Sequence, residues 1–420
     1  MEADFKLILA VIPHRCRLTI LMVFWICCFS YSQKARIVAD QAFDLLRYHE
    51  AITLYDQYYT QSGDTLALER KALCYIQLGN NDEALKLLGK CWPRVKKNNK
   101  LLVQYAELLY SQGLRDSSYA VTQDYISQFG IVAKIEKLQA SILGYVGLNN
   151  SSDAYVIAPV SFNSGAGDYC PVYYGDQIIF TSHRQGISDA WTGRPFSGIF
   201  MTNQDQSSVT PLHIEMATDY HNGVVSMSDK QTFYFTSNSQ VKGKLNDYNL
   251  HIAVAGKSPQ GNWVHSGLFP FSTPEYNVAY PALSADGNKI IFCSDKTGSK
   301  GGFDLYMSQR KEGQWDTPIH LKEISTAGDD VFPFLADNGI LYFSSDGLQG
   351  LGGLDIYSIK LDEFTTSLPL NAGPLINSSA DDFGLITRDG LISGYLSSNR
   401  DNKEGIDKIY KFQKKKNNVE

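Results

Sequence analysis

The sequence predicts an α+β multidomain chain: an N-terminal α-solenoid of helical repeats followed by a five-bladed all-β propeller. Three observations carry this expectation. A helical pattern repeats with a period near 34 residues in the first third of the chain. A β core ending in serine then recurs five times at spacings of 55, 57, 51 and 53 residues. An unpaired strand-like segment also precedes the first β repeat and matches the ends of the later ones. Composition is consistent with this, since 43% hydrophobic and 20% charged residues across 420 positions suffice for sizeable cores. A net charge of −6 argues against a dedicated nucleic-acid binder, which carries a basic footprint.

The N-terminus reads as an export signal. Lys6, Arg15 and Arg17 precede an apolar run over 18–29, which is too short to span a bilayer but suits a signal-peptide core. Ser30 and Ser32 bracket Tyr31 in a small-x-small cleavage pattern that makes Gln33 the new N-terminus. Two alternatives stay open: a retained membrane anchor, and lipidation at Cys27 or Cys28, against which the bulky Ile26 speaks. Without residues 1–32 the chain holds 35 bases and 42 acids. Cys74, Cys91, Cys170 and Cys293 remain, in no CxxC pair and too sparse for a zinc site. They read as buried apolar residues, with a Cys74–Cys91 bridge open in an oxidising compartment.

Residues 33–150 form the helical domain. RYHEAITLYDQYY (47–59) aligns with GNNDEALKLLGKC (79–91) and with GLRDSSYAVTQDY (113–125), placing Ala51, Ala84 and Ser118 in one position. A matching helix, KALCYIQLGN (71–80) or QYAELLYSQG (104–113), stands before the second and third copies. A period near 34 with a small residue where two helices cross is the tetratricopeptide pattern, so three repeats and a capping helix around 131–143 are expected. The cluster Arg94, Lys96, Lys97 and Lys100 reads as a solvated link.

Residues 151–413 form the propeller, and 414–420 a polar, basic tail. The five cores are IIFTSHR, FYFTSNS, IIFCSDK, LYFSSDG and GYLSSNR, whose aligned serines are Ser182, Ser237, Ser294, Ser345 and Ser398. Asp286-Gly287, Asn338-Gly339 and Asp389-Gly390 mark tight hairpins before three of them. A third strand follows each core, and a fourth segment most of them, giving four short strands per unit. The fifth unit runs out of chain after its third strand, whereas 155–164 has no unit of its own. A ring that borrows this segment pairs every edge, so five blades are expected.

The stretches GDDVFPFLADNGILYFSSDGLQGLGGLDIYSI (328–359) and SADDFGLITRDGLISGYLSSNR (379–400) resemble the WD40-like, TolB-type repeats of exported envelope proteins of the Bacteroidota. There a tetratricopeptide segment leads into the propeller, and an OmpA-type peptidoglycan-binding domain often follows. Some members of that family anchor type IX secretion and gliding machinery. The resemblance implies a periplasmic or outer-membrane-associated protein with protein partners in the cell envelope. The sequence ends at Glu420, so direct cell-wall anchoring is not expected of it.

Asp304, Asp355 and Asp407 are read as one position in three blades, and Asp295 and Asp346 as a second, each bonding backbone N–H groups as a repeated structural requirement. The alternative of a metal held by these acids stays open. The glycine-rich loops 298–302 and 347–353 lack the lysine of a phosphate-binding loop and read as turns. No cofactor motif, no G-x-S-x-G elbow and no HExxH occurs. The adjacent pairs Asp329-Asp330 and Asp381-Asp382 open two blades and read as structural. The resulting expectation is a non-catalytic envelope scaffold with no small-molecule substrate identified. The alternative is a glycan-binding or glycan-processing propeller, marked by an acid- and aromatic-lined axial pocket.

Overall fold

The computed structural model describes residues 33–148, 155–215, 220–228, 231–244, 248–401 and 404–415. The export-signal segment 1–32 and most of the tail lie outside them. No helix among the described residues is long and apolar enough to cross a membrane. The chain divides into two compact units: residues 1–98 with 190–193, and residues 99–189 with 194–420.

In the first unit, helical residues 33–44 are followed by α1 (Tyr48–Ser62), α2 (Leu66–Gln77), α3 (Asn81–Lys90) and the short α4 (Trp92–Val95). Gly63 takes φ 65° and closes α1 with its N–H on the Tyr59 carbonyl, a conformation that a Cβ disfavours. Asn80 caps α3 by accepting the Glu83 N–H at 3.2 Å. The core gathers Ala39, Ala51, Tyr55, Ala67 and Cys74, and Tyr55 donates its hydroxyl to Asp40 at 2.7 Å. Cys74 and Cys91 are both free and buried, which corrects the bridge between them; burial pushes both thiols up, Cys91 to about 11.

In the second unit, α5 (Asn99–Ser111), α6 (Arg115–Phe129) and α7 (Ala133–Leu148) precede the strands. The positions aligned in the helical repeat, Ala51, Ala84 and Ser118, are all fully buried, each within its own unit. Ser118 makes this possible for a polar residue by donating to the Ala106 carbonyl at 2.7 Å.

The strands close into five blades, as the sequence predicts. The first strand, β1 (Tyr155–Pro159), is set aside for the last blade. Blade one holds β2 (Asp168–Tyr174), β3 (Gln177–Ser182), β4 (Gly198–Thr202) and β5 (Val209–Pro211). Blade two holds β7 (Asn222–Ser226), β8 (Thr232–Asn238), β9 (Leu250–Lys257) and β10 (Trp263–Leu268), with β6 (Ile214–Glu215) beside β10. Blade three holds β11 (Val278–Leu283), β12 (Lys289–Ser294) and β13 (Asp304–Lys311), edged by β14 (Gln314–Trp315) and β15 (Ile319–His320). Blade four holds β16 (Asp330–Leu335), β17 (Ile340–Ser345), β18 (Asp355–Lys360) and β19 (Leu370–Asn371). Blade five holds β20 (Asp382–Thr387), β21 (Ser393–Ser398) and β22 (Lys408–Lys414). Its fourth strand is β1, antiparallel to β22 with Tyr155 opposite Lys414.

The repeated cores read as continuous apolar runs because each is a second strand, covered by a neighbouring blade on both faces. Residues 178–182, 290–294 and 341–345 are buried without alternation. One apolar cluster fills each of the five gaps between blades. Phe162, Phe180 and Phe200 of blade one, for example, meet Ile386, Tyr395 and Ile409 of blade five at the seam. Burying each such side chain contributes roughly 1.5–3 kcal/mol.

Every innermost strand carries a β-bulge. The bulge residue has positive φ in all five blades: Cys170 (49°), Val224 (46°), Tyr280 (56°), Phe332 (52°) and Gly384 (58°). Only the last is a glycine, so four blades hold a strained L-residue. Four of these bends are secured by the residue before a core serine on the blade alongside. Thr181 Oγ1 accepts the Val224 N–H at 2.7 Å, Thr236 Oγ1 that of Tyr280 at 2.8 Å, and Ser397 Oγ that of Cys170 at 2.8 Å. Cys293 takes this place toward Phe332.

Replacing Thr181 by Val or Ser397 by Ala leaves a buried N–H unpaired. Each variant is expected to lose about 1–3 kcal/mol in denaturant unfolding. A loss under 0.3 kcal/mol in both would show that the bulge does not need its neighbour.

Candidate functional site

The first strands begin around one end of the ring axis, and two kinds of hydrogen bond lock these starts to the blade before, both of them in blades two, four and five. The backbone bond runs from Asn222, Asp330, Asp382 and Asp168 to the carbonyls of Ser197, Phe303, Leu354 and Asp407, at 2.9, 2.7, 2.7 and 3.0 Å. The second returns to the side chain just before the strand. Ser197 N–H donates to His221 Nδ1 (3.0 Å), Leu250 N–H to Asn277 Oδ1 (2.7 Å), Phe303 N–H to Asp329 Oδ1 (2.8 Å) and Leu354 N–H to Asp381 Oδ1 (2.9 Å). A Cβ at Gly302 or Gly353 would collide with the Asp329 or Asp381 carboxylate, which explains the paired glycines of those two loops.

At the seam the pre-strand residue is Gly167, and an acid from the opposite side, Asp407, stands there instead. Asp407 was expected to share a position with Asp304 and Asp355, and the register corrects this. Ser294 pairs with Asp304 and Ser345 with Asp355, but Ser398 pairs with Lys408, leaving Asp407 one residue earlier. Lys408 stands the same ten residues after its core serine as Asp304 and Asp355 do after theirs, so Lys408 is their counterpart in blade five.

The remaining singled-out residues fall in repeated positions, of which Asp346 also reaches the axis. Ser182 donates to Asp168 (2.6 Å), Ser237 to Asn222 (2.7 Å) and Ser294 to the Asn277 carbonyl (2.6 Å). Ser345 bonds Asp330, and Ser398 accepts Arg400 Nε at 3.1 Å. Arg184 and Arg400 pair with the buried Asp168 and Asp382 on the two sides of the seam. Asp295 accepts the Asn277 N–H and Asp346 the Asp329 N–H, both at 2.7 Å. Asp304 accepts Lys300 N–H at 2.6 Å and His320 Nε2 lies 2.8 Å from it. Asp355 accepts the Leu351 and Gly352 N–H groups at 2.5 and 3.2 Å. Asp304 and Asp355 thus tie down the glycine-rich loop just before their own strand. Helix α7 rests on the second of these loops, with Gln349 Nε2 donating to the Ala140 carbonyl at 2.8 Å and Gly350 N–H to Ser141 Oγ at 3.3 Å.

These starts enclose a cavity of about 270 Å³ on the axis, lined by Asp329, Asp346 and Asp381 and by the rings of Tyr280, Phe303 and Phe332. Phe332 stacks between Tyr280 (4.5 Å between centroids) and Phe383 (4.6 Å), closing the axis beneath the acids. Burial raises the Asp329 carboxyl, opposed by the Phe303 N–H and reinforced by the charges of Asp346, Asp295 and Asp304. Burial likewise raises Asp381, against the Leu354 N–H and Asn399, with Asp382 and Asp346 adding to the rise. Asp407 is pushed up to about 7 by burial and then by the charge of Asp381, with Arg194 opposing. A carboxyl that keeps its proton near neutrality, coupled to acids that compete to ionise, can deliver and accept a proton. Among the described residues Asp329 Oδ2 makes no hydrogen bond.

In the sequence Asp329 and Asp381 read only as halves of structural pairs, and no motif marks Tyr280, Phe303 or Phe332. The available signal was a break in repeat symmetry. Only blades four and five put an acid where the others have Gly167, His221 and Asn277.

No protein-family model and no curated protein matches the chain. Solved structures do. An α-L-arabinofuranosidase from Lactobacillus brevis matches at 10% identity and TM-score 0.40, over 59% of this chain and 90% of its own. An α-L-arabinanase from Cellvibrio cellulosa complexed with arabinohexaose matches at 16% identity and TM-score 0.36, over 60% and 91%. A GH43_1 enzyme from Xanthomonas citri matches at 11% identity and TM-score 0.39, over 62% and 90%. At these identities the likeness is one of fold alone. The expectation of a non-catalytic protein is corrected on this finding, since the matched structures are an arabinofuranosidase, an arabinanase and a GH43_1 enzyme.

Since the folded Asp407 carboxyl titrates near 7 and an unfolded one near 3.8, rising pH removes stability across that interval and leaves it constant above. Asp407→Asn is therefore expected to stabilise the protein by roughly 1–3 kcal/mol at pH 8 and to be neutral at pH 4. Thermal melts of both proteins from pH 4 to 8 check this, and parallel curves would contradict it.

Proposed function

We propose that this protein binds and cleaves a glycan at the acidic mouth of its propeller axis. The observation that carries the reading is the convergence of Asp329, Asp346 and Asp381 with three aromatic rings in one axial cavity. Aromatic faces stack on sugar rings, and two carboxyls in different protonation states are the minimum for acid-assisted glycoside hydrolysis. Asp407, protonated near neutrality, is the proton donor in this scheme, and Asp329, with Oδ2 free of hydrogen bonds among the described residues, is the carboxylate facing the sugar. Asp381 couples by charge to Asp407 and shares the cavity with Asp329.

The export signal, the tetratricopeptide character of the helices and partners in the cell envelope belong to the same proposal. Full burial of Ala51, Ala84 and Ser118 supports the helical reading. An exported glycosidase meets envelope or environmental polysaccharide directly, and the helical repeats offer a surface by which a protein partner holds it there.

Turnover of arabinan, xylan and aryl-glycoside panels, with binding followed in parallel, tests the reading. Asp407→Asn and Asp329→Asn are expected to lower kcat by 10²–10⁴-fold while the fold and glycan binding persist. Binding without turnover in the unmodified protein would reduce the function to glycan recognition. Neither binding nor turnover across the panel would remove it.

A further inference from the structure

The opposite end of the axis holds a second, larger cavity of about 390 Å³, formed where the first strands end and their hairpins begin. Phe332 lines both cavities and is the septum between them. The walls here are contributed by all five blades and are mainly apolar, with Pro171, Val225, Met227, Ala282, Pro333 and Ile386 facing in. This is the size and lining of a small-molecule site, in which a few polar groups fix orientation.

The cationic group of this lining is Arg388, in the blade-five hairpin. Its guanidinium lies 4.1 Å over the Tyr173 ring and donates Nη2–H to the Gly175 carbonyl at 2.9 Å. Both contacts come from blade one, so the side chain is held across the seam before any ligand arrives. The rim also carries Asp337 and Asp389. Asp389 is occupied locally, accepting Ser393 N–H (2.7 Å), Ser393 Oγ–H (2.6 Å) and Thr387 Oγ1–H (3.0 Å). Asp337 is exposed to solvent. Among the described residues no carboxylate forms an ion pair with Arg388. A fixed guanidinium without a carboxylate partner, at the edge of an apolar chamber, matches a ligand with an anionic head and an apolar body.

We infer that this mouth is a binding site for a small amphipathic carboxylate, seated with its hydrocarbon against the proline-lined wall and its carboxylate on Arg388. The site is independent of the acidic mouth, because the septum separates them and they share no charged residue.

Calorimetric titration of the full chain with sodium octanoate tests it, with octylammonium chloride as the oppositely charged probe. Octanoate is expected to bind saturably at one site per chain, and octylammonium at least tenfold more weakly. Arg388→Ala should weaken octanoate at least tenfold. Met227→Trp, which fills the chamber without touching Arg388, should abolish binding, while Asp329→Asn leaves it unchanged. Circular dichroism melts establish that each variant is folded, and Arg388→Gln replaces the alanine variant if that one is not. Absence of saturable octanoate binding, equal affinity for the amine, or affinity unchanged by both the Arg388 and Met227 variants would overturn the inference.

Discussion

Four blades place a hydroxyl, or in one case a thiol, against the bulge N–H of a neighbouring blade, and the geometry of the ring follows from that bond. A β-branched or aromatic residue at positive φ is costly, on the order of 1–3 kcal/mol, and Val224, Tyr280 and Phe332 all sit there. The bend persists because the displaced N–H is buried and has one acceptor within reach, supplied by the adjoining blade. The bend turns the first strand so that its start and its end both face the axis. Two mouths and a septum therefore come from one local distortion repeated five times.

The two mouths differ chemically because different ends of the strands supply them. The starts carry the inter-blade locks, and in blades four and five the lock is a carboxylate held by one backbone N–H. One N–H at Asp329, or one N–H and the Asn399 amide at Asp381, offsets only part of the cost of burial, so these acids stay raised and sense one another through a medium that screens poorly. The ends carry hairpins, where Asp286 and Asp389 accept several nearby N–H and hydroxyl groups and are accordingly lowered. Burial and donor number together separate an acid fitted for proton transfer from one fitted for a turn.

Much of the ring was legible in the sequence because its second strands are covered on both faces, so IIFTS, IIFCS and LYFSS stand out as unbroken apolar runs. The borrowed strand was legible for a related reason: segment 155–164 had no partner in its own repeat. The bulges were not legible, since Val224 and Tyr280 are strong strand formers and nothing local marks them for positive φ. Asp407 reads as a counterpart of Asp304 and Asp355 because it too closely precedes a tyrosine, but Tyr410 follows it by three residues where Tyr306 and Tyr357 follow theirs by two. The acidic mouth was hidden by distance along the chain. Asp329, Asp381 and Asp407 become neighbours only once the blades are arranged about an axis, and a repeated acid reads as scaffolding until its environment is known.

The pairing of Tyr155 with Lys414 has a consequence for the order of events in the cell. The strand that completes the last blade is the first one synthesised, and it must wait unpaired while the four other blades emerge. During that interval the nascent chain exposes two open sheet edges, the condition under which chains join their neighbours instead of themselves. Closure is also the contact of greatest sequence separation in the ring, so it is expected to be the slow step. The partner strand β22, last to be made, carries Lys408, Lys411 and Lys414, and an edge rich in lysine repels a second copy of itself until it pairs with the neutral strand YVIAP.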